Sequence, residues 1–144
     1  MKAEHRLRVV IDTNVWISAA LVPTGTPARL VHHVLAHDVP VLTAQTFEEL
    51  RSRLYKPKFD RYISLEQRKA LLHDLQACAL WVEVPAITSQ QAFSRDRDDD
   101  AFVHAALAGQ ANWLVTGDAD LLSVTHPLPF TIATPALALS SIIS

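Results

Sequence analysis

The chain has 144 residues, 49% of them hydrophobic and 19% charged, and a formal net charge of −2. That balance is ordinary for a folded protein: it excludes a disordered chain and supplies no overall positive field for holding nucleic acid. No run approaches the roughly 18 apolar residues of a membrane span, and a lone cysteine, Cys78, excludes an internal disulfide and a cysteine-rich zinc site.

Arg6 to Ile11 closes on Val9-Val10-Ile11, a β-branched run without polar alternation, which predicts a strand buried on both faces of a parallel sheet. It stops at Asp12, and an amphipathic helix through Leu21 follows at once. A loop rich in breakers, Val22 to Pro27, leads to Thr26-Pro27, a cap followed by proline at the first helical position, opening a helix through His37. His32, His33 and His37 could share a metal at i, i+4 spacing, but with no partner acid nearby they read as a solvated face. Val39 to Thr43 is a second strand. Gln45 to Tyr55 is a helix with Phe47, Leu50 and Leu54 inward, ended by Lys56-Pro57. Ser64 to Gln67 is a capping box for a helix over Leu65 to Ala79, with Leu71, Leu72, Leu75 and Ala79 inward. Trp81 to Pro85 is a third strand whose closing proline marks an edge.

Ala86 to Arg97 carries no clear pattern. Asp99 to Ala108 is a helix stopped by Gly109, at a position where a left-handed residue is wanted. Asn112 to Gly117 and Phe130 to Ala133 are the fourth and fifth strands. Strands alternating with helices imply right-handed crossovers and a mostly parallel sheet, hence a three-layer α/β/α fold. The residues from Met1 read as a polar start and not a signal peptide, and the single cysteine suits a reducing cytoplasm.

Charge is unevenly spread. Seven of the thirteen basic residues (Arg51, Arg53, Lys56, Lys58, Arg61, Arg68, Lys69) share one window, and none follows Arg97. This is a candidate phosphate-facing patch, although from charge alone a solvated helix face is the better reading.

Carboxylates fall at strand ends and helix starts in four places: Asp12, Glu48-Glu49, Asp98-Asp99-Asp100, and Asp118 with Asp120. Each one alone could be a helix cap or a partner of the macrodipole, and Asp98 and Asp100 read as no more than that. Asp12 and Asp118 follow strands, where open α/β sheets place their ligands. If the first and fourth strands are neighbours where the strand order reverses, the two acids share a crevice. Several carboxylates in one crevice repel, and burial raises their pKa values, so the site should take up protons or cations. Oxygen-only ligands favour a hard ion, Mg²⁺ or Mn²⁺ in its place, which suits in-line displacement at phosphorus.

Four stretches resemble the PIN domain family: Asp12-Thr13-Asn14 after its strand, Glu49 in Glu-Glu-Leu, Asp99 in Arg-Asp-Arg-Asp-Asp-Asp-Ala-Phe, and Val115 to Leu122. The match is closest to the branch of VapC-like ribonucleases, the toxin components of toxin–antitoxin pairs, and runs from about Leu7 to Thr134. The length suits a single domain over residues 1–144, and the resemblance implies a five-stranded sheet of order 3-2-1-4-5. It implies an endoribonuclease that hydrolyses RNA with metal-activated water, using one or two Mg²⁺ or Mn²⁺ ions. The family's acids fall on Asp12, Glu49, Asp99 and Asp118, with Asp120 assisting and Thr13, Asn14 and Thr116 orienting the carboxylates. Glu48 takes the place of Glu49, or Asp98 that of Asp99, if the helix phase shifts by one.

The expected substrate is single-stranded RNA gripped by Arg51, Arg53, Lys56 and Lys58. From Leu121 onward no Lys, Arg, Asp or Glu occurs, and such an apolar end suits a homodimer or antitoxin interface. Two rival readings remain. One is a catalytically silent PIN-fold binding module. The other is phosphoryl transfer on aspartate, which wants a late lysine, whereas no Lys follows Lys69.

Overall fold

The structure, a computed structural model, describes residues 6–143. The polar start over residues 1–5 lies outside the described residues. Strands β1 (Arg8–Ile11), β2 (Val39–Leu42), β3 (Leu80–Trp81), β4 (Trp113–Val115) and β5 (Thr131–Ala133) form one sheet. Its order is β3-β2-β1-β4-β5 with every neighbouring pair parallel, the expected 3-2-1-4-5. From β1 the chain steps to β2 on one side and returns to β4 on the other, so the order reverses between β1 and β4.

The helices are α1 (Thr13–Leu21), α2 (Thr26–His37), α3 (Ala44–Leu54), α4 (Leu65–Cys78), α5 (Ala86–Ser89), α6 (Asp100–Ala108), α7 (Ala119–Leu122) and α8 (Pro135–Ile142). Short 3₁₀ turns occupy Pro57–Phe59 and Arg97–Asp99. Period-two alternation divides each central strand between two cores. Val9, Ile11, Leu42 and Val115 face the core containing Trp16 and α2, α4 and α8 side chains, whereas Val10, Val41 and Leu114 face Phe102, Val103 and Leu121. Burial on both faces explains the absence of polar residues in Val9-Val10-Ile11 and gives the three layers. Among the described residues no helix is long and apolar enough to cross a membrane.

Several local expectations are corrected. Gly109 is not left-handed: its φ is −88°, and the positive φ (50°) belongs to Gln110. Glycine is needed at 109 for close approach, since a Cβ there would lie 2.6 Å from Val41 Cγ1. The third strand is only Leu80–Trp81; it is the edge strand, and the Val82 N–H still donates to the Leu42 carbonyl at 2.9 Å. Gly25, not Thr26, caps α2. Arg68 does not belong to a surface patch. It is buried, donates to Asp60 Oδ1 at 2.9 Å and lies 5.6 Å over the Tyr55 ring.

The patternless stretch 86–97 contains α5 and then a loop tied to α6. Asp100 Oδ1 accepts the N–H groups of Phe93 (3.1 Å) and Ser94 (2.7 Å), and His104 Nε2 lies 2.7 Å from the Gln91 carbonyl. Asp100 therefore does more than favour a helix start: it is buried and pins a loop seven residues back.

Candidate active site

β1 and β4 end side by side, and the residue after each strand continues the pairing. The Asp12 N–H donates to the Val115 carbonyl and the Thr116 N–H to that of Ala133, both at 2.9 Å. One hydroxyl then links two acids: Thr116 Oγ1 donates to Asp12 Oδ2 at 2.7 Å and accepts the Asp118 N–H at 2.9 Å. Asp12 is 3% exposed and caps α1 through a 3.4 Å bond from the Asn14 N–H, so the cap and the buried carboxylate are one residue. Burial raises its pKa above the usual carboxylate range; the Thr116 and Asn14 bonds oppose that, and the nearby charges of Asp118 and Glu49 add to it. Asp118 likewise caps α7, its Oδ1 accepting the Asp120 N–H at 2.7 Å.

Asp99 stands at the cap position of α6 but accepts no capping bond. Its Oδ2 is shielded from water and has no hydrogen-bond partner. One carboxylate oxygen from each of Asp99, Asp118 and Asp120 lies within 4.8 Å of the others. Burial first, then the charges of Asp118, Asp96, Asp12 and Asp120, push the Asp99 pKa up to about 7. Asp96 is not among the expected site acids, and the crowded acid run Asp96 to Asp100 is the only sequence signal for it.

Glu49 approaches from α3, which begins at Ala44 because Thr43 and Thr46 form a reciprocal cap. That phase leaves Glu49 half-buried, close enough to Asp12 for its charge to be felt there. Arg53 lies 3.7 Å from Glu49 and donates to Asn14 Oδ1 at 3.1 Å, tying α3 to α1. Glu48 is exposed and accepts two bonds from Arg51 at 3.0 and 2.7 Å, which lowers its pKa. Asp98 is exposed as well. Glu49 and Asp99 are thus partly buried and within electrostatic reach of Asp12, whereas Glu48 and Asp98 are exposed; only Asp99 joins the close group with Asp118 and Asp120.

The donor set fits a hard divalent cation. It is all oxygen, negatively charged at close quarters, and contains an unpaired shielded carboxylate oxygen at Asp99. Next to Asp12 in the chain, Thr13 Oγ1 is also buried without a partner. The histidines of α2 offer nothing comparable. His33 and His37 have ring centroids 4.7 Å apart, and His33 lies 3.8 Å from Asp38, an acid not anticipated there. Among the described residues, no group of three metal-ligating side chains forms around them.

On the α3 side, Arg53, Lys56 and Lys58 line a cleft of about 260 Å³ with Asn14, Ile17 and Phe59. Arg51 is absent from that lining and is engaged by Glu48. Thus three of the four expected phosphate-binding side chains share one cleft beside the acids.

The PIN domain family matches residues 8–120. The chain belongs to the PIN domain family. PIN domains are generally nucleases and typically use a divalent metal. This PIN domain is 30% identical over 120 residues to a protein named "Uncharacterized protein MJ1680" from Methanocaldococcus jannaschii, covering 83% of this chain and 76% of that one. Its fold is similar to that of VapBC2 from Rickettsia felis, solved bound to a DNA fragment from their promoter. The TM-score is 0.58 at 12% identity, over 88% of this chain and 97% of that one. PAE2754 from Pyrobaculum aerophilum gives 0.56 at 15% identity, over 100% and 95%. At such identities the two structures speak for the fold alone, a parallel sheet of order 3-2-1-4-5 flanked by helices.

Proposed function

We propose that this PIN domain is a Mg²⁺- or Mn²⁺-dependent endoribonuclease, and that it is the toxin of a toxin–antitoxin pair. The observation that carries the reading is the meeting of Asp99, Asp118 and Asp120 oxygens within 4.8 Å, beside buried Asp12 and half-buried Glu49. Repulsion among so many carboxylates is costly without a counter-charge, and one or two divalent ions held by these residues would supply it. When bound, such an ion activates water and neutralises charge developing at a phosphodiester.

The chain's own groups do the positioning. Thr116 fixes the orientation of Asp12 and the backbone of Asp118 through one hydroxyl, so neither acid needs to reorganise. Asn14 adds its N–H bond to Asp12 Oδ1 and is itself held by Arg53, while Thr13 Oγ1, buried next to Asp12 without a partner, would be available to a bound group. Arg53, Lys56 and Lys58 would hold the backbone of single-stranded RNA as it enters beside Glu49; Arg51 would add charge at the rim.

The direct test is cleavage of single-stranded RNA with Mg²⁺ or Mn²⁺ and with chelator. Asp12→Asn and Asp118→Asn should each lower the rate by about 100-fold or more, the size of effect seen when a charge-positioning group is lost, with melting behaviour retained. Cleavage at the wild-type rate by folded Asp12→Asn would refute the assignment.

The partner proposals have their own support. The apolar end leaves Leu137 and Ile143 more than half exposed on and after α8, which suits a homodimer. Sedimentation that finds only monomer at high micromolar concentration would contradict it. An antitoxin is proposed by analogy with the VapBC2 structure; co-expression with the adjacent open reading frame, followed by pull-down and loss of RNA cleavage, tests it.

A further inference from the structure

The acids are flanked on their other side by a second and larger cleft, of about 500 Å³. Asp120 forms part of its wall, facing the segments Ala92 to Arg95 and Ser123 to His126. Its volume falls in the range of small-molecule sites. The sheet order sets its place relative to the acids. Glu49 follows β2, Asp12 follows β1, and Asp118 and Asp120 follow β4, so the acids run in a line along the carboxyl edge. The cleft of Arg53, Lys56 and Lys58 adjoins that line through Asn14, and the larger cleft adjoins its opposite end through Asp120.

The lining chemistry is unlike that of the basic cleft. The rings of Phe93 and His126 lie 5.1 Å apart between centroids at 80° to each other. Two rings at right angles make a corner in which a flat heterocycle can stack on one and meet the edge of the other. The corner is held rigidly on one side. Phe93 also packs edgewise on His104 at 6.1 Å, and its N–H is held by buried Asp100. Beside it stands Arg95, exposed and without a hydrogen bond or ion pair among the described residues. Three of the arginines around the acids are already engaged: Arg51 by Glu48, Arg53 by Glu49 and Asn14, and Arg97 by Asp100. Arg95 is free to meet an anion.

We infer that this cleft is the subsite for one unpaired nucleotide of the RNA, on the Asp120 side of the scissile phosphate. Its base stacks in the Phe93–His126 corner and its phosphate meets Arg95. This rests on the ribonuclease reading. It adds a direction to the path: the strand enters along Arg53, Lys56 and Lys58, crosses the acids, and leaves with a splayed base in the corner. Stacking tolerates every base, since each has a π-face, so the subsite selects for single-stranded substrate more than for sequence.

The test uses the full chain and a labelled 12-nucleotide single-stranded RNA, with anisotropy read in an Asp118→Asn background that suppresses cutting. His126→Ala and Arg95→Ala should each weaken binding by about 10-fold, the scale of one lost stacking or phosphate contact. His126→Phe should restore it. Because His126 and Arg95 are exposed, none of these changes threatens the core. Moving an abasic nucleotide along the RNA should find one position that weakens binding about as much, and that penalty should vanish in His126→Ala.

Unchanged binding by both alanine variants, with no position coupled to His126, overturns the subsite. A wild-type protein that binds RNA with this coupling yet never cuts it sinks the ribonuclease reading and leaves the subsite standing. No RNA binding at all removes both.

Discussion

In the metal-free protein, replacing Asp99 with Asn should increase stability, and by an amount that grows with pH. The unfolded carboxyl ionises near 3.8 and the folded one at about 7. Below pH 4 both states hold the proton and the group costs nothing. Between these values only the folded state is still protonated, so stability falls as pH rises, and above 7 the full cost is present. The displacement from 3.8 to about 7 would amount to about 4 kcal/mol if none of it were screened. Asp99 is partly exposed, and water reduces that to roughly 1–2 kcal/mol. For a chain of this size the gain is about 3–6 °C in Tm at pH 8, shrinking toward zero at pH 4. The assay is thermal or urea unfolding of both proteins in chelator from pH 4 to 8, then again with Mn²⁺. Saturating Mn²⁺ should reverse the order, since an ion at 100 times its Kd stabilises the wild type by about 2.7 kcal/mol and an amide is a poorer ligand than a carboxylate. A stability offset for Asp99→Asn that is flat across this range, or a variant less stable than wild type at pH 8 without metal, would refute the account of crowded carboxylates.

The other predictions concern binding, positioning and packing. Protons compete for Asp99, so Mn²⁺ affinity measured by calorimetry should fall as pH drops below 7, by up to about tenfold per pH unit, with proton release on binding. Thr116→Val keeps shape but removes the hydroxyl between Asp12 and Asp118; it should cost about 1–3 kcal/mol in urea unfolding and lower kcat more than it raises KM. Gly109→Ala puts a methyl 2.6 Å from Val41 Cγ1 and should destabilise by about 1–3 kcal/mol, with no direct effect on RNA affinity. Lys56→Ala and Lys58→Ala should each reduce the salt dependence of RNA binding by a slope of about 0.7, the value for one contact to a single strand.

Much of the frame was legible in the linear chain because it depends on local rules. A β-branched run without polar alternation can sit only where both faces are covered, so Val9-Val10-Ile11 announced a buried parallel strand. The Ser64–Gln67 box and the apolar spacing of Phe47, Leu50 and Leu54 marked their helices for similar reasons. Where a signal has two physical causes, local reading chose wrongly or could not choose. Gly109 was explained by backbone freedom, whereas contact with Val41 across the fold requires it. Arg68 counted as a surface charge until Asp60 and Tyr55 enclosed it.

The acids divide along the same line. That carboxylates follow β1 and β4 and open α6 can be read from residue order, since strand ends and caps are local events. Which of two adjacent acids is exposed depends on helix phase and burial, which arise with packing: Glu48 and Asp98 face water, and an oxygen of Asp99 is shielded. The loop over residues 90–96 had no periodicity to read, because its shape comes from Asp100 and His104 on another element. The two walls of the corner, Phe93 and His126, stand 33 residues apart in the chain. A corner made by such distant side chains exists only once the sheet has brought them together.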